Sequence, residues 1–119
     1  MAISEIYQGV VNVGTTEYDL VSYSTGLSSA TTDGIYQLFL DLTFMTAAEQ
    51  YTLRIYEAVR GGGTQRVVQQ VDFFGVQAEP IYVTPALLLM HGWTFTLPRV
   101  NTGGSSSDRS IQWSIRQVA

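Results

Sequence analysis

The chain predicts an all-β domain, an antiparallel β-sandwich or jelly roll of about eight short strands. Three observations carry this expectation. Val, Ile, Thr, Tyr, Phe and Trp supply 46 of the 119 residues, and these side chains suit a pleated, half-buried surface. Lysine is absent and glutamate scarce, so the residues that usually coat helices are missing. Strand-like runs recur about every ten residues with turn residues between them, and no helical period competes with them.

The first run covers residues 3–13 and breaks at Gly14-Thr15-Thr16; residues 17–24 form the second. Residues 25–34, rich in Gly, Ser, Thr and Asp, read as an exposed loop. The third run, 35–44, places Tyr36, Leu38, Leu40, Leu42 and Phe44 on one face by its period of two. Residues 46–50 are expected to form one helical turn. In the next run Tyr51, Leu53, Ile55 and Val59 take the inner face, and this strand is expected to pair with 35–44. Gly61-Gly62-Gly63 marks a hairpin loop, and 67–74 returns. Residues 81–90 hold a strand whose Pro85 demands an edge or a bulge. Trp93, Phe95 and Leu97 alternate in the next run, and Ile111, Trp113 and Ile115 in the last, beyond a Gly/Ser loop at 101–108. The expected core is Leu38, Leu40, Leu42, Leu53, Ile55, Trp93, Phe95, Ile111, Trp113 and Ile115. No repeat, heptad or linker interrupts the pattern, so residues 1–119 read as one domain.

Composition excludes several classes of function. Six arginines against ten carboxylates give a net charge of −4, the wrong sign for a phosphate-binding surface, so nucleic acid is not an expected partner. The longest apolar run, Ala86 to Met90, is too short to span a bilayer, and no membrane partner is expected. The first residues lack the basic and apolar segments of a signal peptide, which implies synthesis in the cytoplasm. The absence of cysteine removes disulfides, thiolate-held zinc and thiol catalysis.

Little catalytic chemistry remains. A P-loop needs lysine. His91 is the lone histidine, and no Gly-x-Ser-x-Gly elbow accompanies it, so it reads as a turn or interface residue. Asp41, Asp72, Glu17 and Asp19 show no spacing specific to paired-carboxylate or calcium chemistry. The triple glycine between Arg60 and Arg66 reads as a hairpin loop, with an anion nest as the functional alternative. No catalytic residue, cofactor or metal ligand is expected, and the chain reads as a non-enzyme. Trp93 and Trp113 belong with the apolar phase of their strands. Phe39 and Tyr56 fall on outward faces, with Phe74 a further prominent aromatic, and outward aromatics mark subunit contacts. Phe39, Tyr56, Arg60, Arg66 and Arg109 are therefore the candidate partner-contact residues.

Four stretches carry a family likeness. They are Thr32-Asp33-Gly34-Ile35-Tyr36-Gln37-Leu38; Leu53-Arg54-Ile55-Tyr56-Glu57 running on to Gly62-Gly63-Thr64-Gln65-Arg66-Val67-Val68; His91-Gly92-Trp93; and Asp108-Arg109-Ser110-Ile111-Gln112-Trp113-Ser114-Ile115-Arg116. Together they resemble a family of small virion structural proteins encoded by tailed phages, over nearly all of the chain after residue 15. The resemblance implies a structural role, and small β-sandwich phage proteins of this size are often head-decoration (cement) proteins. The expected partners are then the major capsid protein and the chain itself, as a homodimer or homotrimer, on the capsid exterior. The alternative is a neck, tail or fibre-associated β module contacting a host glycan. No active-site residue transfers from the family.

Overall fold

The computed structural model describes residues 2–118 and contains nine strands, which are β1 (Ile3–Val13), β2 (Tyr18–Asp19), β3 (Gly34–Asp41), β4 (Gln50–Glu57), β5 (Arg66–Phe74), β6 (Ile81–Val83), β7 (Leu87–Leu89), β8 (Thr94–Leu97) and β9 (Arg109–Val118). They form two antiparallel sheets, ordered β1-β9-β3-β6, with β7 also on β3, and β2-β8-β4-β5. β6 and β7 run along the same edge of β3, one after the other. Counted as one interrupted strand, they reduce the nine to eight, and the sheet orders become 1-8-3-6 and 2-7-4-5. That is a long antiparallel hairpin rolled so that its strand pairs alternate between two layers, a jelly roll.

Pro85 explains the interruption. It has no N–H to give to β3, so the ladder cannot run through it. Thr84 bridges the gap: its N–H donates to the Leu38 carbonyl at 3.0 Å, and its buried hydroxyl accepts the Leu38 N–H at 3.0 Å. The Gln37 side chain donates to the Thr84 carbonyl at 2.9 Å, so both backbone polar groups of Thr84 have partners at the break.

All ten expected core residues are buried between the sheets, joined by Tyr36, Tyr51 and Leu97. Trp93 packs on Tyr36 at 4.4 Å between ring centroids and donates its indole N–H to the Thr32 carbonyl at 3.0 Å. Trp113 donates to the Leu20 carbonyl at 3.1 Å, and its ring lies over Gly9 on β1, where a Cβ would come within 2.5 Å of it. The absence of a side chain at Gly9 makes room for that ring.

The structure corrects several local expectations. β4 pairs with β5 and β8 and lies in the opposite sheet from β3. β3 ends at Asp41, whose carboxylate accepts the Thr43 N–H and turns the chain, so Phe44 points outward and Met45 takes the core position. β4 ends at Glu57, which leaves Val59 exposed while Ala58 is buried. Residues 46–49 make one hydrogen-bonded turn, Glu49 N–H to the Thr46 carbonyl at 3.3 Å, that does not continue as helix, and the Glu49 carboxylate reaches back to accept from the N–H and hydroxyl of Thr46. The second run shortens to two residues because the chain curls back after Asp19, with Tyr23 N–H on the Asp19 carbonyl at 3.1 Å.

Candidate functional site

The expected contact residues fall in four places. Phe39 lies on the outer face of β3, opposite Ser114 of β9, with the Arg116 guanidinium 3.7 Å above its ring. Tyr56 lies on the outer face of the other sheet. Its hydroxyl donates to Glu17 Oε2 at 2.7 Å, an oxygen that also receives the Thr96 hydroxyl and Arg54 Nη1, the latter at 3.4 Å. Burial raises the Glu17 pKa, but the hydrogen bonds from Thr96, Tyr56 and Arg54 outweigh it and leave Glu17 below its ordinary value. Tyr56 is thus part of an internal polar network.

Arg109 is likewise committed inside the fold. Its Nε donates to Glu49 Oε1 at 2.8 Å and Nη2 to Oε2 at 3.2 Å, a two-pronged pair against a carboxylate with no exposed surface. The guanidinium holds Glu49 down at about 2 despite its burial, helped by the Thr46 and Ser107 N–H groups. This pair pins the 46–49 turn to the start of β9.

Arg60 and Arg66 flank the β4–β5 loop, and both are exposed without a carboxylate within salt-bridge distance among the described residues. The loop is a tight turn: Gly63 N–H donates to the Arg60 carbonyl at 2.9 Å, and Gly62 has φ +77°, a conformation that favours glycine. The Gly63 N–H is spent in that turn, which weakens the anion-nest alternative. Gln65 clips the loop to its neighbours by donating to the carbonyls of Ser28 at 2.8 Å and Gly92 at 2.7 Å.

Beside this loop lies a cleft of about 590 Å³, with Ser29, Thr31, Asp33, Arg60 and His91 in its lining. His91 is held through its backbone: its N–H donates to Glu57 Oε2 at 3.1 Å and its carbonyl accepts from Ala58 at 2.8 Å. Its ring stands against Gly61 and makes no hydrogen bond to a serine or carboxylate among the described residues, so no nucleophile–base pair is assembled. Among the described residues no cluster of three or more His, Asp or Glu side chains gathers to hold a metal ion, and no helix is long and apolar enough to cross a membrane.

Two features escaped sequence reasoning. One is Asp19, buried on the outer side of β2, where its carboxylate accepts from the N–H groups of Val21, Ser22 and Ser28 and from the hydroxyls of Ser28 and Thr94. It ties the 20–29 loop down over β8, and nothing in the local sequence marks partners so far apart. The other is the outer face of the β1-β9-β3-β6 sheet, where Ile3, Val10, Ile35, Ile81, Val83 and Leu88 are all exposed. A signal for it existed in the unbroken apolar runs Ile81-Tyr82-Val83 and Leu87-Leu88-Leu89, which lack the alternation of a half-solvated strand.

The chain matches no family model, no curated protein and no solved structure. Its class is set by the fold: an antiparallel two-sheet sandwich with jelly-roll strand order.

Proposed function

We propose that the chain is a non-enzymatic structural protein of a tailed-phage virion, acting as a head-decoration (cement) protein. In this reading it binds the major capsid protein on the outside of the expanded head and stabilises the shell as a homo-oligomer. The observation that carries the reading is the lopsided exterior. The outer side of the β2-β8-β4-β5 sheet is tied up around Glu17 and Asp19 in internal polar networks and exposes Phe74 and Val67 only along β5, while the other sheet presents Ile3, Val10, Ile35, Ile81, Val83 and Leu88, as a binding protein would. The phage assignment rests on the sequence likeness. Jelly rolls recur in viral capsid and lectin domains, which supports it by analogy of fold.

Arg60 and Arg66 are the anchors this reading favours, since a guanidinium that pairs with no carboxylate among the described residues is available to an acidic patch on the shell. A ligand that binds only the assembled shell shifts the disassembly equilibrium at every lattice site. The test mixes purified protein with undecorated expanded heads, pellets and washes them, and heats them. Co-sedimentation with a raised disruption temperature is expected, weakened in Arg60→Ala and Arg66→Ala. Protein left in the supernatant, or bound protein without effect on disruption, defeats the decoration reading.

A neck, tail or fibre-associated role contacting a glycan is the second reading, favoured by the cleft that holds Ser29, Thr31, Asp33 and Arg60 in its lining. Copy number in purified virions separates the two, with hundreds of copies marking decoration and a handful marking tail or neck.

A further inference from the structure

We propose that the outer face of the β1-β9-β3-β6/β7 sheet is a homodimer interface, in which two copies pack face to face across a two-fold axis running along the strands between β3 and β9. This deepens the self-association named above and does not depend on the shell.

The β6–β7 side of the face reads as an internal layer, although β1, β3 and β9 carry polar side chains there. Antiparallel sheets that meet water normally alternate apolar-in and polar-out, yet β6 and β7 are apolar at every position. Their inner members Tyr82, Leu87 and Leu89 pack on the core, while Leu88 is 78% exposed and Ile81 51%.

The pairing registers arrange these residues in rows. Ile3, Val118, Ile35 and Leu88 stand opposite one another on β1, β9, β3 and β7. Further along, Val10, Gln112, Asp41 and Ile81 make a second row with apolar ends. The proposed axis lays β9 of one copy over β3 of the other, and β1 over β6 and β7. Ile3 then meets Leu88, Val118 meets Ile35, and Val10 meets Ile81, so the apolar positions of these two rows match, while in the row between them Gln8 falls on Val83 and Ser114 on Phe39. Arg116 falls on Gln37, its opposite number across β9 and β3. A surface that maps onto itself this way is what an isologous contact requires.

Charge and area agree. The face carries Glu5, Asp41 and Arg116, two negatives and one positive, so it holds −1 of the chain's −4 and is not the repulsive side. The molecule measures 43 × 31 × 20 Å, and the short dimension is that of two sheets about 10 Å apart with their outer side chains. A broad face of that size accommodates the roughly 800 Å² per partner of a standard interface.

Edge-to-edge pairing through β1 is discouraged. Tyr23, held at φ +57°, places its hydroxyl 3.3 Å from the Gln8 N–H on the free edge of β1, and that strand bulges between Glu5 and Tyr7.

The test is sedimentation velocity of the purified chain from about 1 to about 500 µM, read by mass action. A monomer–dimer equilibrium is expected, with Leu88→Glu and Ile81→Glu each weakening it at least about tenfold by burying an unpaired carboxylate. Their circular dichroism should match the parent. Because the chain has no cysteine, Ile3→Cys combined with Leu88→Cys should give a covalent dimer on mild oxidation, whereas Phe74→Cys, exposed on the outer face of the opposite sheet, should not. A monomer throughout the range, or a dimer indifferent to both Glu variants and not captured by the cysteine pair, overturns the proposal. Strictly monomeric protein that still binds heads would overturn it and spare the decoration reading. A dimer that ignores heads would do the reverse.

Discussion

Glu49 shows how much one side chain organises. A carboxylate with no exposed surface is tolerable only because Arg109, Thr46 and Ser107 surround it with donors. Its folded-state pKa of about 2 lies below the ordinary 4.5, so its charge stabilises the fold fully above the higher value. That contribution fades as pH falls from about 4.5 to about 2. The melting temperature of the parent should therefore drop across this window more steeply than that of Glu49→Gln. Equal slopes in calorimetric scans would remove Glu49 from the acid response. Arg109→Ala should destabilise the protein at neutral pH without weakening any contact on the exterior, which separates it from Arg60 and Arg66. Sequence alone could not distinguish these arginines. All lie beside glycine-rich or polar loops, and the carboxylate that claims Arg109 is 60 residues away.

Among the elements, the β6–β7 edge is the most instructive. Pro85 predicted an edge or a bulge, and it sits at a break in an edge strand, because a residue without an N–H cannot continue a ladder. The substitute provided by Thr84 was not legible, since a threonine before a proline has many uses. Thr84→Val keeps the shape and removes the hydroxyl that accepts Leu38 N–H, and should cost about 1–3 kcal/mol for a buried donor left without a partner. Thr84→Ser should recover most of that in urea denaturation; no difference between the two would mean water replaces the hydroxyl. Alternation placed the core halves of β3, β4, β8 and β9 correctly, because period two is a local property. It misplaced Phe44 and Val59, because each run was carried past the turn that ends its strand. Pairing partners were beyond reach for a different reason. β4 beside β3 is the natural guess from order in the chain, and the jelly roll sends β3 and β4 to opposite sheets while keeping β4 and β5 together.

At the scale of the molecule, the first strand closes against the last: Ile3 pairs with Val118, and Val13 with Arg109. Such pairing must wait until almost the whole chain is present and collapsed, so folding should be slow for a domain of this size, on the ms–s scale. Stopped-flow Trp fluorescence would show it, and a microsecond phase carrying the full amplitude would contradict it. The same closure has a mechanical consequence. With β1 and β9 antiparallel, the two ends of the chain leave from one end of the same ladder. Tension applied between them would open that ladder like a zipper, loading one bond at a time, each worth about 1 kcal/mol. A load spread over the broad sheet faces meets every strand at once. The protein is thus built to resist compression and shear across its flat sides and to yield readily when drawn out by its ends.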